Sequence, residues 1–319
     1  MFTQNTHPTG GGPARSRWLG RNRLVAVAAA LAVVGAGIVA IVVNLVSPKV
    51  TDCSAPPTPV SPPSGVTDGY DRQVLSFSPA MYLTFAHPSA ATEPDLSGNG
   101  HAATYLPAKS PPGQAALPNG DAAASFNGTG QYAQVPSSGA LSITQTGCLT
   151  VEAWIRAATK QFPREEGTGY VYILGKGTTD KYEYAIRMYS AVNTEKPERP
   201  NRISGYVWNL SGGLGSGAFF QDGGVVGPWI MVTMVVDAQK TSSWPYGYVA
   251  LYKNGVLRNK VSLNQYHVTP QASSAPFCIG TRNLTSYFDG AIGKVAVYDS
   301  ALPQSDIAAT YNAMAASGK

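Results

Sequence analysis

The chain has 319 residues, of which only 13% are charged, and it carries 34 glycines and 24 prolines. It is too apolar and aromatic to be disordered and too rich in turn formers to be mainly helical, so a turn-rich β protein is expected. The net charge of +5 does not indicate nucleic acid: Arg15, Arg17, Arg21, Arg23 and Lys49 carry all of it, and from Thr51 onward 18 basic residues balance 18 acidic ones.

Residues 1–23 form a basic, polar arm. The next 23, Leu24–Val46, contain no charge and are long enough to span a hydrocarbon core of about 30 Å. Four arginines precede this run and one lysine follows it. That bias places the N-terminus in the cytoplasm and the rest of the chain outside. A cleaved signal peptide would have an apolar core of about 7–15 residues, so 24–46 reads as an uncleaved transmembrane signal anchor. Residues 47–69, rich in Pro and Ser, read as an extended extracellular linker. Outside a membrane disulfides persist. Cys148 and Cys278 both lie in the folded part and are expected to pair. Cys53 stands in the linker, either free or joining two chains; the plain alternative is three unpaired thiols, two of them buried.

From Tyr70 to about residue 316 the pattern has period two. "LTVEAWIRA" (149–157) sets Leu149, Val151, Ala153 and Ile155 on one face and Thr150, Glu152, Trp154 and Arg156 on the other. "WIMVTMVVD" (229–237) is apolar on both faces and reads as a central strand. "YVALYKNGVLRN" (248–259) reads as a hairpin turning at Asn254-Gly255, the pair that tolerates positive φ. Further strands are expected at 81–86, 122–126, 131–135, 170–175, 182–189, 203–208, 276–280 and 288–298. One helix closes the chain. Pro303 suits its first position, Asp306 its first turn, and Ile307, Tyr311 and Met314 make one apolar face. Many short strands with turns between them predict an all-β, two-sheet antiparallel jelly-roll sandwich with one short C-terminal helix, preceded by the transmembrane helix.

Segments in order carry a resemblance. "MYLTFAHP…DLSGNGHAATY", "AASFNGTGQYAQVPSS", "LTVEAWIRA", "YILGKG…YEYAIRM", "WIMVTMVV…VALYKNGV" and "FDGAIGKVAVYDSALPQSDIAATY" together resemble the laminin-G-like jelly roll of the concanavalin A-like lectin/glucanase superfamily, over 70–316. The resemblance implies the sandwich fold; its members serve as lectins, adhesion modules, accessory domains of enzymes and some glycanases. Two departures stand out. Gly293-Lys294 occupies the place where the family usually has Asp-Glu, and Leu302-Pro303 replaces a Ser/Thr cap.

"DLSGNGH" copies half of a calcium loop: Asp95, Ser97 and Asn99 offer oxygens at alternate positions, Gly100 supplies the sharp turn and the His101 carbonyl follows. The glutamate that closes such a loop would fall at Leu106. A second carboxylate must come from elsewhere, and the resemblance implies Asp289. The metal set for Ca2+ is therefore Asp95, Asn99, Gly100, His101 and Asp289; the alternative is a turn whose backbone is capped by Asp95. Sugar binding needs exposed aromatic rings. Tyr132, Tyr170, Trp208, Trp244, Tyr246, Tyr266 and Tyr287 are candidates, with Trp244, Tyr246, Tyr132 and Tyr287 taken as the ligand-binding set, whereas Trp154 and Trp229 are assigned to structure.

Catalytic patterns are weak. Glycanases of this fold commonly carry Glu-x-Asp-x-x-Glu on one strand, and Glu152 stands alone on its own. Glu165, Glu166, Glu195 and Glu198 read as solvated loop charges. The four histidines show no zinc spacing. The expectation is a non-enzymatic, membrane-anchored, extracellular module that binds a glycan, with a protein-interaction domain of a cell-envelope complex as alternative and an unusual glycanase after it.

Overall fold

The computed structural model of the chain describes residues 53, 57–61 and 65–317. The expected basic arm and membrane span, 1–46, lie outside them. Among the described residues no helix is long and apolar enough to cross a membrane.

In chain order the elements are α1 (Gly69–Ser76), β1 (Met81–Leu83), β2 (Thr92–Glu93), β3 (Ala103–Leu106), β4 (Gly113–Ala116), β5 (Ala122–Asn127), β6 (Tyr132–Val135), β7 (Cys148–Ala157), β8 (Tyr170–Thr178), β9 (Lys181–Tyr189), β10 (Ile203–Asn209), β11 (Gly212–Phe220), β12 (Ile230–Asp237), β13 (Tyr248–Lys253), β14 (Val256–Ser262), β15 (Phe277–Ile279), β16 (Asp289–Tyr298) and α2 (Gln304–Ser317). The strands form two antiparallel eight-stranded sheets. The first runs β14-β13-β12-β7-β16-β5-β4, with β1 also on β16; the second runs β11-β10-β9-β8-β15-β6-β3-β2.

The core between the sheets follows from the alternation. Leu149, Val151, Ala153 and Ile155 of β7 face it, as do Ile230, Val232, Met234 and Val236 of β12 and Val171, Ile173, Ile186, Met188 and Val207 of the second sheet. The other faces of β7 and β12 are buried too, because helices cover them. Trp154, Met231 and Val235 pack with Tyr70 and Val74 of α1 and Ile307 and Met314 of α2. The Asn254-Gly255 turn joins β13 to β14 with both residues at positive φ, 53° and 78°, as the hairpin reading requires.

α1 corrects the expectation of a single helix. The Asp68 carboxylate caps it, accepting from the Asp71 N–H. Its Tyr70 hydroxyl accepts from the Trp154 indole at 2.9 Å, and Tyr311 of α2 stacks on Trp154 at 5.7 Å. Trp154 thus holds a structural place; Trp229 does too, its indole donating to the Ala116 carbonyl. The departure at Lys294 is also structural. Its buried ammonium lies 2.6 Å from both Asp71 and Asp121, tying α1 to the first sheet.

The expected Cys148–Cys278 bridge does not form. Cys148 is bonded to Cys53, and Cys278 is a buried free thiol that burial pushes up to about 12. The reason is positional. Cys278 sits in the middle of β15 in the second sheet, while Cys148 opens β7 in the first. Cys53 lies beside Cys148 where the chain leaves β16, its carbonyl accepting from Ala301 N at 3.0 Å.

Glu152 gives this fold a pH signature. It is fully buried and accepts from Tyr70 and Thr233; burial raises its carboxyl from 4.5 to about 8 against those two bonds. A proton is therefore held by the folded chain and lost by the unfolded one between those values. Stability should fall by up to about 1.4 kcal/mol per pH unit from pH 5 to 8 through this group. Urea unfolding of Glu152→Gln at pH 5, 6, 7 and 8 should show that slope removed; an unchanged slope would exclude Glu152 as its source.

Candidate functional site

The outer face of the second sheet carries an aromatic patch instead of helices. Tyr172, Ala185 and Trp208 are its buried members, with Tyr170, Tyr182 and Tyr206 packed against them. Strand alternation explains it. On β8, β9 and β10 the residues between the core positions are Tyr170 and Tyr172, Arg187 and Tyr189, and Tyr206 and Trp208, and the ladders bring them together: Tyr170 lies opposite Tyr189, and Tyr172 opposite Arg187.

Two guanidiniums are set into these rings. Arg187 lies 4.1 Å from the Tyr206 ring centre, 4.3 Å from Tyr170 and 4.8 Å from Tyr189. Arg282, 1% exposed, lies 4.1 Å from Tyr172, 4.6 Å from Tyr182 and 4.9 Å from Trp208, and donates to the Tyr172 hydroxyl at 2.8 Å. Ring faces attract a desolvated cation, which fixes both parts. The hydroxyls are polarised as well. Burial opposes ionisation of Tyr206, but Arg187, the Tyr189 hydroxyl and Arg199 outweigh it and hold its pKa below the ordinary tyrosine value. Burial raises that of Tyr189.

The patch floors a cleft of about 360 Å³. Leu214, Phe219 and Tyr266 stand exposed on its walls, and Arg199 and Arg202 reach it from the chain before β10. Arg202 lies over the Phe219 ring at 3.8 Å. Between Leu214 and Phe219 the β11 wall is bare at Gly215 and Gly217, which leave room for the Trp208 and Tyr206 rings that a Cβ at either position would meet at 2.4–2.5 Å.

The match to known families covers residues 127–308, and the family is Laminin G 3, described as concanavalin A-like lectin/glucanases superfamily. The chain belongs to that family. No curated protein matches it. Among solved structures, this laminin-G-like chain is similar to the ligand binding domain of botulinum neurotoxin serotype D, solved in complex with N-acetylneuraminic acid. The identity is 13% and the TM-score 0.52, over 74% of this chain and 50% of that one. It is also similar to the binding domain of botulinum neurotoxin DC, solved in complex with rat synaptotagmin II (13%, TM-score 0.52, 74% and 52%). A third is the binding domain of Paraclostridial Mosquitocidal Protein 1 (14%, TM-score 0.53, 73% and 52%). At these identities the likeness is one of fold, and the chain spans about half the length of each.

The laminin-G-like domain distributes the expected site residues over separate places. Tyr170, Trp208 and Tyr266 line the cleft. Trp244 is half-buried, packed on Tyr248 at 5.4 Å with the Lys260 ammonium 4.9 Å from its ring. Tyr246, 55% exposed, borders a second cavity of about 350 Å³ with Lys240, His267 and Val268. Tyr132 and Tyr287 pair at 6.3 Å, and Arg164 covers Tyr287.

Of the calcium set, Asp95 spends its carboxylate on backbone. Oδ1 accepts from the N–H of Tyr82 and of Ser97 and from the Ser97 hydroxyl, and Oδ2 accepts from His101 N at 2.8 Å. The Asn99 amide donates to the Pro79 and Ala80 carbonyls; Gly98 and Gly100 supply the positive φ of the turn. Asp289 is not brought to this loop. Asp95 bridges Leu83, which lies opposite Val295, and Asp289 opens the same strand six residues earlier, about 20 Å along it.

Of the loop glutamates only Glu198 is exposed, as expected, with the Lys196 ammonium 3.5 Å away. Glu165 accepts from Phe162 N. Glu166 accepts from Asn283 and Thr285, and Glu195 accepts from Thr168 and pairs with Arg199. Glu166 and Glu195 both border the cleft.

Proposed function

We propose that the chain is a membrane-anchored, extracellular, non-catalytic module that binds carbohydrate in the cleft on the second sheet. The observation that carries this reading is the fixed aromatic platform in a half-open cleft, walled by polar groups. Sugars offer apolar ring faces and a rim of hydroxyls, which such a surface matches. The family and the neurotoxin domain seen with N-acetylneuraminic acid support it. The Cys53–Cys148 bridge supports an oxidising, extracellular location.

Calcium is a separate proposal, confined to the loop 95–101. Four strand spacings lie between β2 and β8, about 19 Å, so ligand binding is expected to persist in EDTA.

A second reading, a protein partner, is favoured by Leu214, Phe219 and Tyr266 standing exposed together at the cleft, and by the neurotoxin domain seen with synaptotagmin II. A glycanase would use Glu166 and Glu195, but each is already engaged, Glu166 by Asn283 and Thr285 and Glu195 by Thr168 and Arg199.

The test is the binding of the full chain, in detergent, to immobilised glycans in calcium and in EDTA, with reducing-end release monitored. Tyr206→Ala is expected to weaken binding at least tenfold, and Trp244→Ala with Tyr246→Ala to leave it unchanged. The reverse result would move the site to the loop 242–248. Binding to no glycan would favour the protein partner, and release of reducing ends would make the chain an enzyme.

A further inference from the structure

The cleft is built of donors to an extent that a neutral sugar does not need. A guanidinium has five N–H groups and no acceptor, and four of them, Arg187, Arg199, Arg202 and Arg282, gather in and behind this cleft. Only Arg199 has a carboxylate partner among the described residues, Glu195 at 3.4 Å. Nε of Arg187, Nε of Arg199, and Nε and Nη1 of Arg282 are buried with no hydrogen-bond partner. A cation removed from water without a counter-charge is costly. The rings around Arg187 and Arg282 offset part of that cost, and an arriving anion would offset more.

We infer that the ligand is an acidic glycan whose sugar carboxylate is received by Arg202 and Arg187 while its ring lies on the Tyr206–Phe219 side of the cleft. The geometry suits it. Arg202 is half-exposed, its Nε is fixed by Gln221 at 3.0 Å, and its terminal nitrogens are left to form the parallel pair of bonds that a carboxylate takes. Arg187 lies beneath, immobilised between rings. The inference rests on the carbohydrate reading above and specifies its substrate class.

The experiment compares three immobilised polymers against the full chain in detergent: a polyuronate, the same polymer with its carboxyls reduced to alcohols, and dextran sulfate, each at low and at physiological salt. The expected result is binding to the polyuronate at least tenfold tighter than to its reduced form. Arg202→Gln should abolish that difference. Arg187→Lys keeps the buried charge but not the fork, and should reduce the preference without unfolding the chain, as circular dichroism would confirm. Equal binding of polyuronate and reduced polymer overturns the inference and leaves the carbohydrate reading standing. Binding to none of the three, nor to any glycan of the broader panel, removes both. Dextran sulfate bound as tightly as polyuronate, unaffected by Arg202→Gln and lost at physiological salt, would mean surface charge alone and would also overturn it.

Discussion

Cys53→Ser should lower the stability of the domain by about 3–5 kcal/mol without changing its fold. The Cys53–Cys148 bridge closes a loop with a sequence separation of 95, and a cross-link of that span restricts the unfolded chain strongly. Its native anchors include a hydrogen bond from Ala301 to the Cys53 carbonyl, one from Val60 to Ser76, and the burial of Cys53 against the outer face of the first sheet. Urea unfolding of the wild type, Cys53→Ser and Cys278→Ser would measure this. Thiol titration supplies the control: the native wild type should expose no thiol and the denatured one a single thiol, Cys278, whose burial keeps it protonated well past neutral pH. Three reactive thiols on denaturation would show that no bridge forms, and a thiol still titrating in denatured Cys278→Ser would put the bridge elsewhere. A Cys53→Ser chain as stable as wild type would mean that the loop carries no entropic load.

The bridge also shows where reading the sequence stops. Strands were legible wherever an apolar period of two faced the core, because burial on one face enforces alternation: β7, β8, β9, β10, β12, β13 and β16 fall where Leu149, Val171, Ile186, Val207, Val232, Leu251 and Ile292 imply. β11 was not legible. "GGLGSGAFF" reads as a flexible loop, since glycine disfavours strands, yet it pairs with β10 throughout. Its glycines are selected by the rings lying on it, a constraint from another strand. α1 was hidden similarly: eight residues after a Pro-rich stretch, with Gly69 at its start, carry little local signal, and its burial under α2 supplies the rest.

The site divides the same way. Tyr170, Trp208 and Tyr266 were visible as single aromatics, but their grouping depends on register across three ladders. The signal that was present is the spacing "YVY", "RMY" and "YVW" (170–172, 187–189, 206–208) on consecutive strands, each placing large polar-tipped groups at i and i+2, the same face. Arg282 had no such signal, since it arrives from the turn after β15. Asp95 could be read equally as ligand or cap; its donors, the N–H groups of Tyr82 and His101 among them, are contacts that only the folded backbone assembles.

Gly217→Val should remove glycan binding, at least a hundredfold, at a cost of about 1–2 kcal/mol in stability. Gly217 lies opposite Tyr206 in the β10–β11 ladder, and its φ is not in the left-handed region, so a β-branched residue suits the strand backbone itself. The conflict is with the ring: a Cβ would lie 2.4 Å from Cδ1 and Cε1 of Tyr206. Tyr206 must swing away, and the ring 4.1 Å from Arg187 goes with it. One side chain then disrupts the aromatic platform and uncovers the guanidinium together. Gly223→Ala, where an added Cβ meets nothing within 4 Å, is the matched control and should bind as wild type. Titration calorimetry with a soluble polyuronate oligosaccharide, the class of ligand proposed, alongside urea unfolding, separates the outcomes. Binding lost with stability nearly kept places the ligand on the rings. Binding kept by Gly217→Val would show that the platform is a structural clasp for Arg187, and the cavity beside Tyr246 would become the place to look.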